Sequence, residues 1–350
     1  MSISPLRSPI KYPGGKRKLF TEINQRLPPG SFKYAEPFFG GGSIGLQLAG
    51  EGRLTRFVAG EACGPVRAFW EALHSGALPG GIHEWIMRMS TDRGPEDFAL
   101  WRNRLNRLVK SDQLEKHADL RAKMGALFYA LNQTCMNGLV RFNSSGEFNA
   151  PIGKKQDSSY YQFQPDFEHL DRVRAALVGA RFEIRPSWRA VTELVMGDDG
   201  EPSQWAIYMD PPYTGGFVDY TPEGWSTDDD IELYEAAREL GAVRERVVIS
   251  QPDTEWARDC CASILKGWQV DKIQVGRPIN SDGQGRGPVG ELLIWNKPGE
   301  RVTVPVDIDL RLQADYSISD SLRVMAPAEP SLIVLNITTD PIPDNNCGLA

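Results

Sequence analysis

Short apolar runs alternate with a helical pattern near the start of the chain. Residues 32–36 have the composition of a strand, a glycine turn follows at 40–42, and the apolar spacing after it predicts a helix from Ser43. Residues 56–59 predict a second strand, which ends near Glu61. A strand, a helix and a second strand in this order are typical of a parallel, doubly wound sheet, so we predict an α/β fold.

Helical spacing of apolar residues continues from about residue 65 to residue 132, whereas the second half of the chain returns to strand patterns. A stretch rich in glycine, asparagine and serine separates the two at residues 137–153. The later strand patterns lie at residues 180–184, 205–209, 246–250 and 291–296, with helical segments such as 228–241 between them. We therefore predict a sheet domain in two parts, residues 1–62 and 161–299, interrupted by a mainly helical insertion at residues 63–160.

The composition changes after residue 299. Residues 300–350 hold eight acidic residues and three arginines, a net charge of −5, which leaves −2 of the chain's −7 for residues 1–299. We predict a small acidic C-terminal extension that is either β or partly disordered. The near-neutral remainder can still carry a basic cleft, so charge neither excludes nor requires a nucleic-acid partner. Seven basic residues crowd the latter half of the insertion: Arg102, Arg104, Arg107, Lys110, Lys116, Arg121 and Lys123.

Three other features of the composition restrict the class of protein. No run of about 18 apolar residues is present, and the first residues lack the apolar core of a signal peptide. The five cysteines show no C-x-x-C spacing of the kind that binds zinc. We expect a cytoplasmic protein with reduced cysteines, no metal and no membrane partner.

Asp210-Pro211-Pro212-Tyr213 directly follows the strand pattern at residues 205–209. Ligands of doubly wound folds gather at the carboxyl ends of strands. Two successive prolines fix the Pro211 carbonyl beside the Asp210 carboxylate, and two such acceptors suit the two hydrogens of an exocyclic amine. The Tyr213 ring then offers a flat face on which a base can stack. The alternative is a plain strand-ending turn, because aspartate and proline are common in turns.

The glycine turn at 36–42, Glu-Pro-Phe-Phe-Gly-Gly-Gly, leads from the first strand into the first helix. Without Cβ atoms its backbone can pass close to a ligand, and its place between a strand and a helix favours a nucleotide-like one. Glu61, at the end of the second strand, can accept hydrogen bonds from both hydroxyls of a ribose. A simple turn and a solvated surface acid are the alternatives.

The N-terminal segment Lys11-Tyr12-Pro13-Gly14-Gly15-Lys16 combines a turn with basic residues on both sides. It lacks the spaced first glycine and the Lys-Ser/Thr pair of a P-loop. Taken alone, the segment is either a phosphate-binding turn or a flexible terminus.

In this order, the three motifs resemble the Dam-type family of DNA adenine-N6 methyltransferases. The resemblance covers most of residues 8–297 and also includes Asn137-Gly-Leu-Val-Arg-Phe-Asn143, Gly146-Glu-Phe-Asn-Ala-Pro-Ile-Gly153, Tyr220-Thr-Pro-Glu-Gly-Trp225 and Glu291-Leu-Leu293. It implies a Rossmann-like methyltransferase fold with an inserted DNA-recognition domain. It also implies methyl transfer from S-adenosyl-L-methionine to an adenine flipped out of double-stranded DNA, by direct in-line attack.

The resemblance assigns roles to two groups of residues. Asp210, Pro211, Pro212 and Tyr213 would hold the flipped adenine. Glu61 stands where family members usually have aspartate, which leaves its fit to the ribose open. The residues expected in the cofactor pocket are Tyr12, Lys16, Glu36, Pro37, Phe38, Phe39, Gly40, Gly41, Gly42, Glu61 and Asp210.

A third group corresponds to DNA-contacting positions of the family. Arg141 would read a guanine edge, since a forked arginine on O6 and N7 is the commonest specific base contact; a surface or phosphate-contacting arginine is the alternative. Lys155 stands where some members have a tyrosine, so the recognised sequence need not be GATC. The expected DNA-binding residues are Lys11, Asn137, Leu139, Arg141, Asn143, Pro151 and Lys155.

Two rival functions remain open from the sequence. Cytosine N4 and RNA bases also offer an exocyclic amine, although cytosine-N4 enzymes more often have serine in place of Asp210. A relic that binds DNA without methylating it is the second rival. We expect a monomer or weak dimer in the cytoplasm of a bacterium or a phage-infected host; restriction-modification, phage and host-maintenance roles are not separated.

Overall fold

Seven strands among the described residues form one sheet, in the order β3-β2-β1-β4-β5-β7-β6, in the computed structural model of the protein. The structure describes residues 5–76, 82–88, 94–114, 116–143, 145–198, 205–213, 224–275 and 289–296. All of them belong to the first of the two units into which the chain divides, Met1–Pro305. The strands are β1 (Phe32–Glu36), β2 (Leu54–Gly60), β3 (Phe182–Arg185), β4 (Trp205–Met209), β5 (Arg246–Pro252), β6 (Gln269–Val275) and β7 (Val289–Trp295).

The first five strands run parallel, and β7 is antiparallel to both β5 and β6. This confirms the predicted α/β class with a mostly parallel, doubly wound sheet. Because β1 and β4 are central neighbours, their carboxyl ends meet at one edge of the sheet, where such folds bind ligands. The motifs at Glu36 and Asp210 therefore open onto the same space.

Strand β6 is absent from the prediction. Its sequence, QVDKIQV, has apolar residues at intervals of three and two, so it shows no clean alternation. The strand lies beside β7 at the edge of the sheet that the described residues form, and among them one side of its backbone has no strand neighbour. By contrast, all five residues of β4 are buried, and the predicted bounds of this apolar run are confirmed.

Helices cover the sheet and fill the region between β2 and β3. They are α1 (Phe20–Asn24), α2 (Gly45–Gly50), α3 (Gly64–Ser75), α4 (Ile82–Arg88), α5 (Pro95–Val109), α6 (Ala118–Thr134), α7 (Phe167–Gly179), α8 (Trp188–Met196), α9 (Thr227–Val243) and α10 (Glu255–Ile264). Short 3-10 turns lie at Lys16–Leu19 and Met136–Gly138.

Helix α6 is the buried centre of the region between β2 and β3. Residues 124–132 are all buried, and Gly125 lets α3 approach closely, since a Cβ there would lie 2.7 Å from the Ala68 carbonyl oxygen. The hydrophobic core around α6 is continuous with the core under the sheet. The insertion boundaries 63 and 160 stay a prediction.

Two details of the sequence analysis need comment. Helix α2 begins at Gly45, and the Ser43 hydroxyl accepts a hydrogen bond from the Lys16 backbone N–H instead of starting the helix. The predicted extension at 300–350 and the motif residues 220–223 lie outside the described residues. Among the helices that the structure describes, none is long and apolar enough to cross a membrane.

Candidate active site

Asp210 follows the central strand β4 at the carboxyl edge of the sheet. Its side chain is 20% exposed, whereas the neighbouring Pro211 is buried. The strand before it is apolar and fully buried, so the carboxylate emerges from a rigid support. The D-P-P-Y segment thus presents polar groups at the point where a doubly wound sheet binds its ligand.

Lys16 approaches this segment from the N-terminal part of the chain. Its Nζ lies 2.6 Å from Asp210 Oδ1 and 2.6 Å from the Tyr213 hydroxyl, and the Lys16 side chain is 11% exposed. Burial acts to lower the pKa of Lys16, but the charges of Asp210 and Glu291 and its hydrogen bonds outweigh burial and raise the pKa. Lys16 is therefore a charged ammonium in contact with both motif residues.

Glu291, on β7, completes this network, and the sequence analysis gave it no site role. The Tyr213 hydroxyl donates to Glu291 Oε1 at 2.6 Å, and Lys16 Nζ lies 3.4 Å from the same oxygen. Burial raises the pKa of Glu291, against the lowering effect of Lys16. Burial also raises the pKa of Tyr213, so its phenol stays protonated and donates. The sequence signal for Glu291 was a charged residue within an apolar strand. Because its partners are distant in the sequence, this signal alone did not indicate a role in the site.

The glycine turn after β1 receives the ring of Tyr12. A Cβ on Gly40 would lie 2.6 Å from Tyr12 Cε1, and one on Gly41 would lie 2.7 Å from Tyr12 Cβ. Gly40 also has φ +48°, a conformation that side chains disfavour. The three glycines thus give both a bent backbone and close packing against the N-terminal segment.

Two of the residues expected in the cofactor pocket also have structural contacts. Glu36 Oε2 accepts hydrogen bonds from the Gly45 N–H at 2.9 Å and the Tyr34 hydroxyl at 3.2 Å, and burial raises the pKa of Glu36 to about 8. The Phe39 ring is 3% exposed and packs against Phe57, so that residue contributes chiefly to the core.

Glu61 lies at the end of β2 with its carboxylate at the same cavity. The side chain is buried, and Oε1 accepts the Cys63 N–H at 2.8 Å. Burial raises the pKa of Glu61 to about 7, partly offset by hydrogen bonds from backbone N–H groups and by Arg67. The surface-acid alternative is therefore wrong for Glu61.

Three aromatic side chains line the cavity beyond the glycine turn. The rings of Phe38 and Trp188 are stacked with centroids 6.1 Å apart, and Trp225 meets Phe38 edge-on at 5.5 Å. Trp188 follows the carboxyl end of β3 and begins α8, a placement that marks ligand contacts in this fold class. The sequence analysis gave neither tryptophan a site role.

These residues line one cavity of about 510 Å³, a size typical of cofactor sites. The structure thus brings together the predicted catalytic and cofactor residues, except that Gly42 does not line the cavity and forms the turn behind it. Among the described residues, no group of three or more metal-binding side chains lies together. The predicted residues around the cavity are Tyr12, Lys16, Glu36, Pro37, Phe38, Phe39, Gly40, Gly41, Glu61, Asp210, Pro211, Pro212 and Tyr213.

The predicted DNA-binding residues lie mostly on or beside two successive hairpins after α6, the first paired at Phe142 and Phe148 and the second at Lys154 and Tyr160. In the first, Asn149 N–H donates to the Arg141 carbonyl, and Arg141 Nε donates to Asn149 Oδ1 at 2.7 Å. The Arg141 guanidinium also donates to the Asn149 carbonyl at 2.9 Å. Arg141 is thus held in one orientation, with donors left over for a ligand.

Helix α5 supports this first hairpin. The Asn106 side-chain amide exchanges two hydrogen bonds with the backbone of Phe148, at 2.8 Å and 3.2 Å, and so replaces a strand neighbour. Between helix and hairpin lies a groove of about 460 Å³. Its basic lining residues are Arg102, Arg107 and Lys110, of which Lys110 pairs with Glu147.

The other predicted DNA residues differ in exposure. Asn137 is exposed with φ +55°, Pro151 and Lys155 are exposed, and Leu139 and Asn143 are half-buried. Asn143 Oδ1 accepts two N–H groups inside the hairpin.

Lys11 is engaged inside the protein rather than extended from it. Its Nζ donates to the Gln133 carbonyl at 2.7 Å and lies over the Tyr161 ring. Burial lowers the pKa of Lys11. These contacts join the N-terminal segment to the end of α6.

Several known methyltransferases have sequences similar to this chain. The family described as D12 class N6 adenine-specific DNA methyltransferase matches residues 12–273. The type II methyltransferase M.MjaIII of Methanocaldococcus jannaschii is 26% identical, over 85% of this chain and all of that protein. A DNA adenine methylase of Vibrio cholerae is 27% identical, over 83% of this chain and 96% of that protein. The DNA N-6-adenine-methyltransferase of Escherichia phage P1 is 25% identical, over 82% of this chain and 35% of that protein.

Proposed function

The chain belongs to the D12 class of N6 adenine-specific DNA methyltransferases, and we propose that its cavity binds S-adenosyl-L-methionine beside an adenine flipped out of double-stranded DNA. One observation carries this proposal. The Asp210–Tyr213 segment, the glycine turn and the Glu61 carboxylate all line the same cavity at the carboxyl edge of the sheet. An amine acceptor and a nucleotide-type pocket thus share one space, as transfer between two bound molecules requires.

S-adenosyl-L-methionine supplies a methyl group on a positively charged sulfur. The chain's contribution is to hold that group: the glycine turn at 40–41 allows a close approach, and Glu61 is ready to accept the ribose hydroxyls. Phe38 and Trp188 offer apolar faces for the purine.

Asp210 and Pro211 orient the target amine. Oδ1 of Asp210 already accepts from Lys16, whereas Oδ2 has no hydrogen-bond partner among the described residues. Oδ2 and the Pro211 carbonyl are the two acceptors for the N6 hydrogens, so the nitrogen lone pair turns away from the ring and toward the methyl group. With the cofactor bound, N6 would take the methyl group as the carbon–sulfur bond breaks, and N6 would become acidic as it does so. Asp210 Oδ2, which would already hold one of the N6 hydrogens, would be the acceptor for the proton that N6 then loses.

The DNA interface includes the first hairpin and the basic face of α5. Arg141, anchored by Asn149, is the candidate for base readout, because a fixed fork can select a guanine. Arg102 and Arg107 line the adjacent groove and suit phosphates, which fix position rather than sequence. A local basic surface of this kind lets an enzyme with a net negative charge contact the phosphates of DNA.

Met136 is the candidate wedge for base flipping. Its side chain is 46% exposed, beside the left-handed Asn137 and between α6 and the first hairpin. Apolar side chains in such positions enter the space that a displaced base leaves in the stack. A DNA substrate also implies an enzyme that acts in the cytoplasm of a bacterium or infected host.

The function is tested by incubating the purified full chain with duplex DNA and tritium-labelled S-adenosylmethionine, followed by nucleoside analysis. We expect labelled N6-methyladenine, and none with Asp210→Ala, while this variant keeps its DNA affinity within about threefold, since Asp210 acts on the flipped base alone. Labelled N4-methylcytosine, labelled RNA only, or full activity of Asp210→Ala would contradict the proposal.

A further inference from the structure

Glu291 is a buried acid on β7 that the proposed mechanism does not use. It pairs in register with Pro252 of β5 and with Ile273 of β6, and its side chain is 7% exposed. A carboxylate in such a place is unfavourable unless it is paired, and an apolar side chain of similar size serves a strand at least as well. Packing alone therefore does not explain an acid at this position.

The contacts of Glu291 lead directly to the catalytic segment. Its Oε1 accepts the Tyr213 hydroxyl at 2.6 Å and lies 3.4 Å from Lys16 Nζ. Lys16 Nζ in turn lies 2.6 Å from Asp210 Oδ1, so one ammonium is shared by two carboxylates from different strands. With both acids ionised and Tyr213 neutral, the four groups carry a net charge of −1.

We infer that Glu291 is a positioning residue for methyl transfer, which fixes the Tyr213 ring and the Lys16 ammonium and, through Lys16, the orientation of the Asp210 carboxylate. The inference rests on the proposed function of Asp210 and Tyr213. Tyr213 has one hydroxyl proton, and Glu291 is its closest acceptor, so the ring cannot turn without breaking a hydrogen bond to a charged group. Lys16 occupies Asp210 Oδ1 and thereby leaves Oδ2 for the amine.

The same geometry predicts different effects for two substitutions. Glu291→Leu keeps the volume but removes the acceptor and the charge, which frees Tyr213 and lets Lys16 shift. Glu291→Gln keeps an oxygen that accepts from Tyr213 and loses only the charge. Asp271→Asn is a matched control, because Asp271 lies on the neighbouring β6 and pairs with Arg26 and Trp295 outside the site.

The test measures the single-turnover rate of methyl transfer to duplex DNA, with enzyme and cofactor saturating. We expect Glu291→Leu to slow transfer about 100-fold and Glu291→Gln about tenfold, while DNA affinity changes less than about threefold. Asp271→Asn should keep the rate within about twofold. A wild-type rate in Glu291→Leu would overturn the inference but not the proposed function; an inactive wild-type enzyme would overturn both.

A double-mutant cycle tests whether Glu291 acts through Tyr213. If it does, adding Glu291→Leu to Tyr213→Phe slows transfer by clearly less than it slows the wild type, because the hydroxyl that Glu291 holds is already gone. Independent, multiplying effects of the two substitutions would overturn the inference.

The dependence of the single-turnover rate on pH distinguishes a positioning role of Glu291 from a purely structural one, because a purely structural role would leave this dependence unchanged in the variants. Among the residues that the structure describes, the titratable groups facing Glu291 are Lys16, Asp210, Tyr213 and Tyr208 of β4. Glu291 must be ionised to hold Lys16, and burial raises its pKa, so the wild-type single-turnover rate should fall as the pH is lowered through this raised pKa. Glu291→Gln should flatten this fall. An unchanged profile in a well-folded Glu291→Gln variant would contradict the inference even if Glu291→Leu failed to fold.

Discussion

The ammonium of Lys16 lies 2.6 Å from Oδ1 of Asp210, although 194 positions separate the two residues in the chain. The sequence analysis expected both residues in the cofactor pocket but did not predict their contact. The ion pair joins the N-terminal turn to the end of β4, so the segment that precedes the sheet becomes part of the site's wall. Lys16 thus holds Oδ1 of Asp210, the carboxylate that we propose receives the target amine.

Replacing Lys16 with methionine should slow methyl transfer far more than it weakens DNA binding. Without the ammonium, nothing offsets the repulsion between the Asp210 and Glu291 carboxylates, and the Asp210 side chain loses the contact that orients it. We expect a single-turnover rate lower by about 100-fold, since preorganised charges at a reacting centre contribute at this scale. A rate within about threefold of the wild type, measured in rapid-quench assays, would show that the ion pair does not matter for transfer.

The ring and the hydroxyl of Tyr213 should separate in their effects. Tyr213→Ala removes the stacking face for the flipped adenine and should cost about 1–3 kcal/mol of transition-state stabilisation. Tyr213→Phe keeps the ring and loses its link to Glu291, so its loss of rate should be smaller. Fluorescence of 2-aminopurine at the target position reports flipping directly. Equal losses of rate in the two variants would contradict a stacking role.

The elements that the sequence predicts best are those whose pattern depends on burial alone. Strand β4 is apolar throughout and has both sheet neighbours, so its bounds are readable, whereas β6 combines polar and apolar residues without a period. Helix α2 begins two residues later than predicted, because the Ser43 hydroxyl bonds the Lys16 N–H. That bond comes from a segment 27 positions away, which no local pattern can indicate.

The same limit applies to the site. D-P-P-Y and the glycine turn are continuous motifs, so their chemical roles can be predicted from the sequence before the fold is known. The roles of Glu291 and Trp188 become apparent only from the residues that the fold brings beside them. The pairing of Arg141 with Asn149 likewise depends on a hairpin whose register the sequence does not specify.

Arg141 and Asn149 should both affect which sequence is methylated. Arg141→Ala removes the proposed base contact and should relax discrimination at one position by about 1–3 kcal/mol. Asn149→Ala leaves the guanidinium in place but removes the oxygen that orients Nε, so we expect a smaller relaxation at the same position. Arg104→Ala, on the same helix as the groove arginines but outside the groove lining, serves as a control for general charge loss. Rates on duplexes with single base changes measure the effect; unchanged preference in Arg141→Ala would contradict base readout.

The stability of the protein should decrease as the pH rises toward 8. Burial raises the pKa of Glu36 from 4.5 to about 8, so between these values the folded protein holds a proton that the unfolded chain releases. This stabilisation is complete below the unfolded pKa and is lost as the pH rises through the folded one. Glu36→Gln is neutral throughout and keeps an acceptor for the Gly45 N–H. Its Tm should therefore fall less than the wild-type Tm between about pH 6 and pH 8.5; parallel declines would contradict the raised pKa.

The most direct test of the central claim is modification-sensitive long-read sequencing of DNA from cells that express this chain or its Asp210→Ala variant. The account predicts N6-methyladenine at a defined sequence motif with the wild-type chain and none with the variant, both proteins being present at similar levels. Unmodified DNA with a well-expressed wild-type protein, or the same methylated motif with Asp210→Ala, would contradict it.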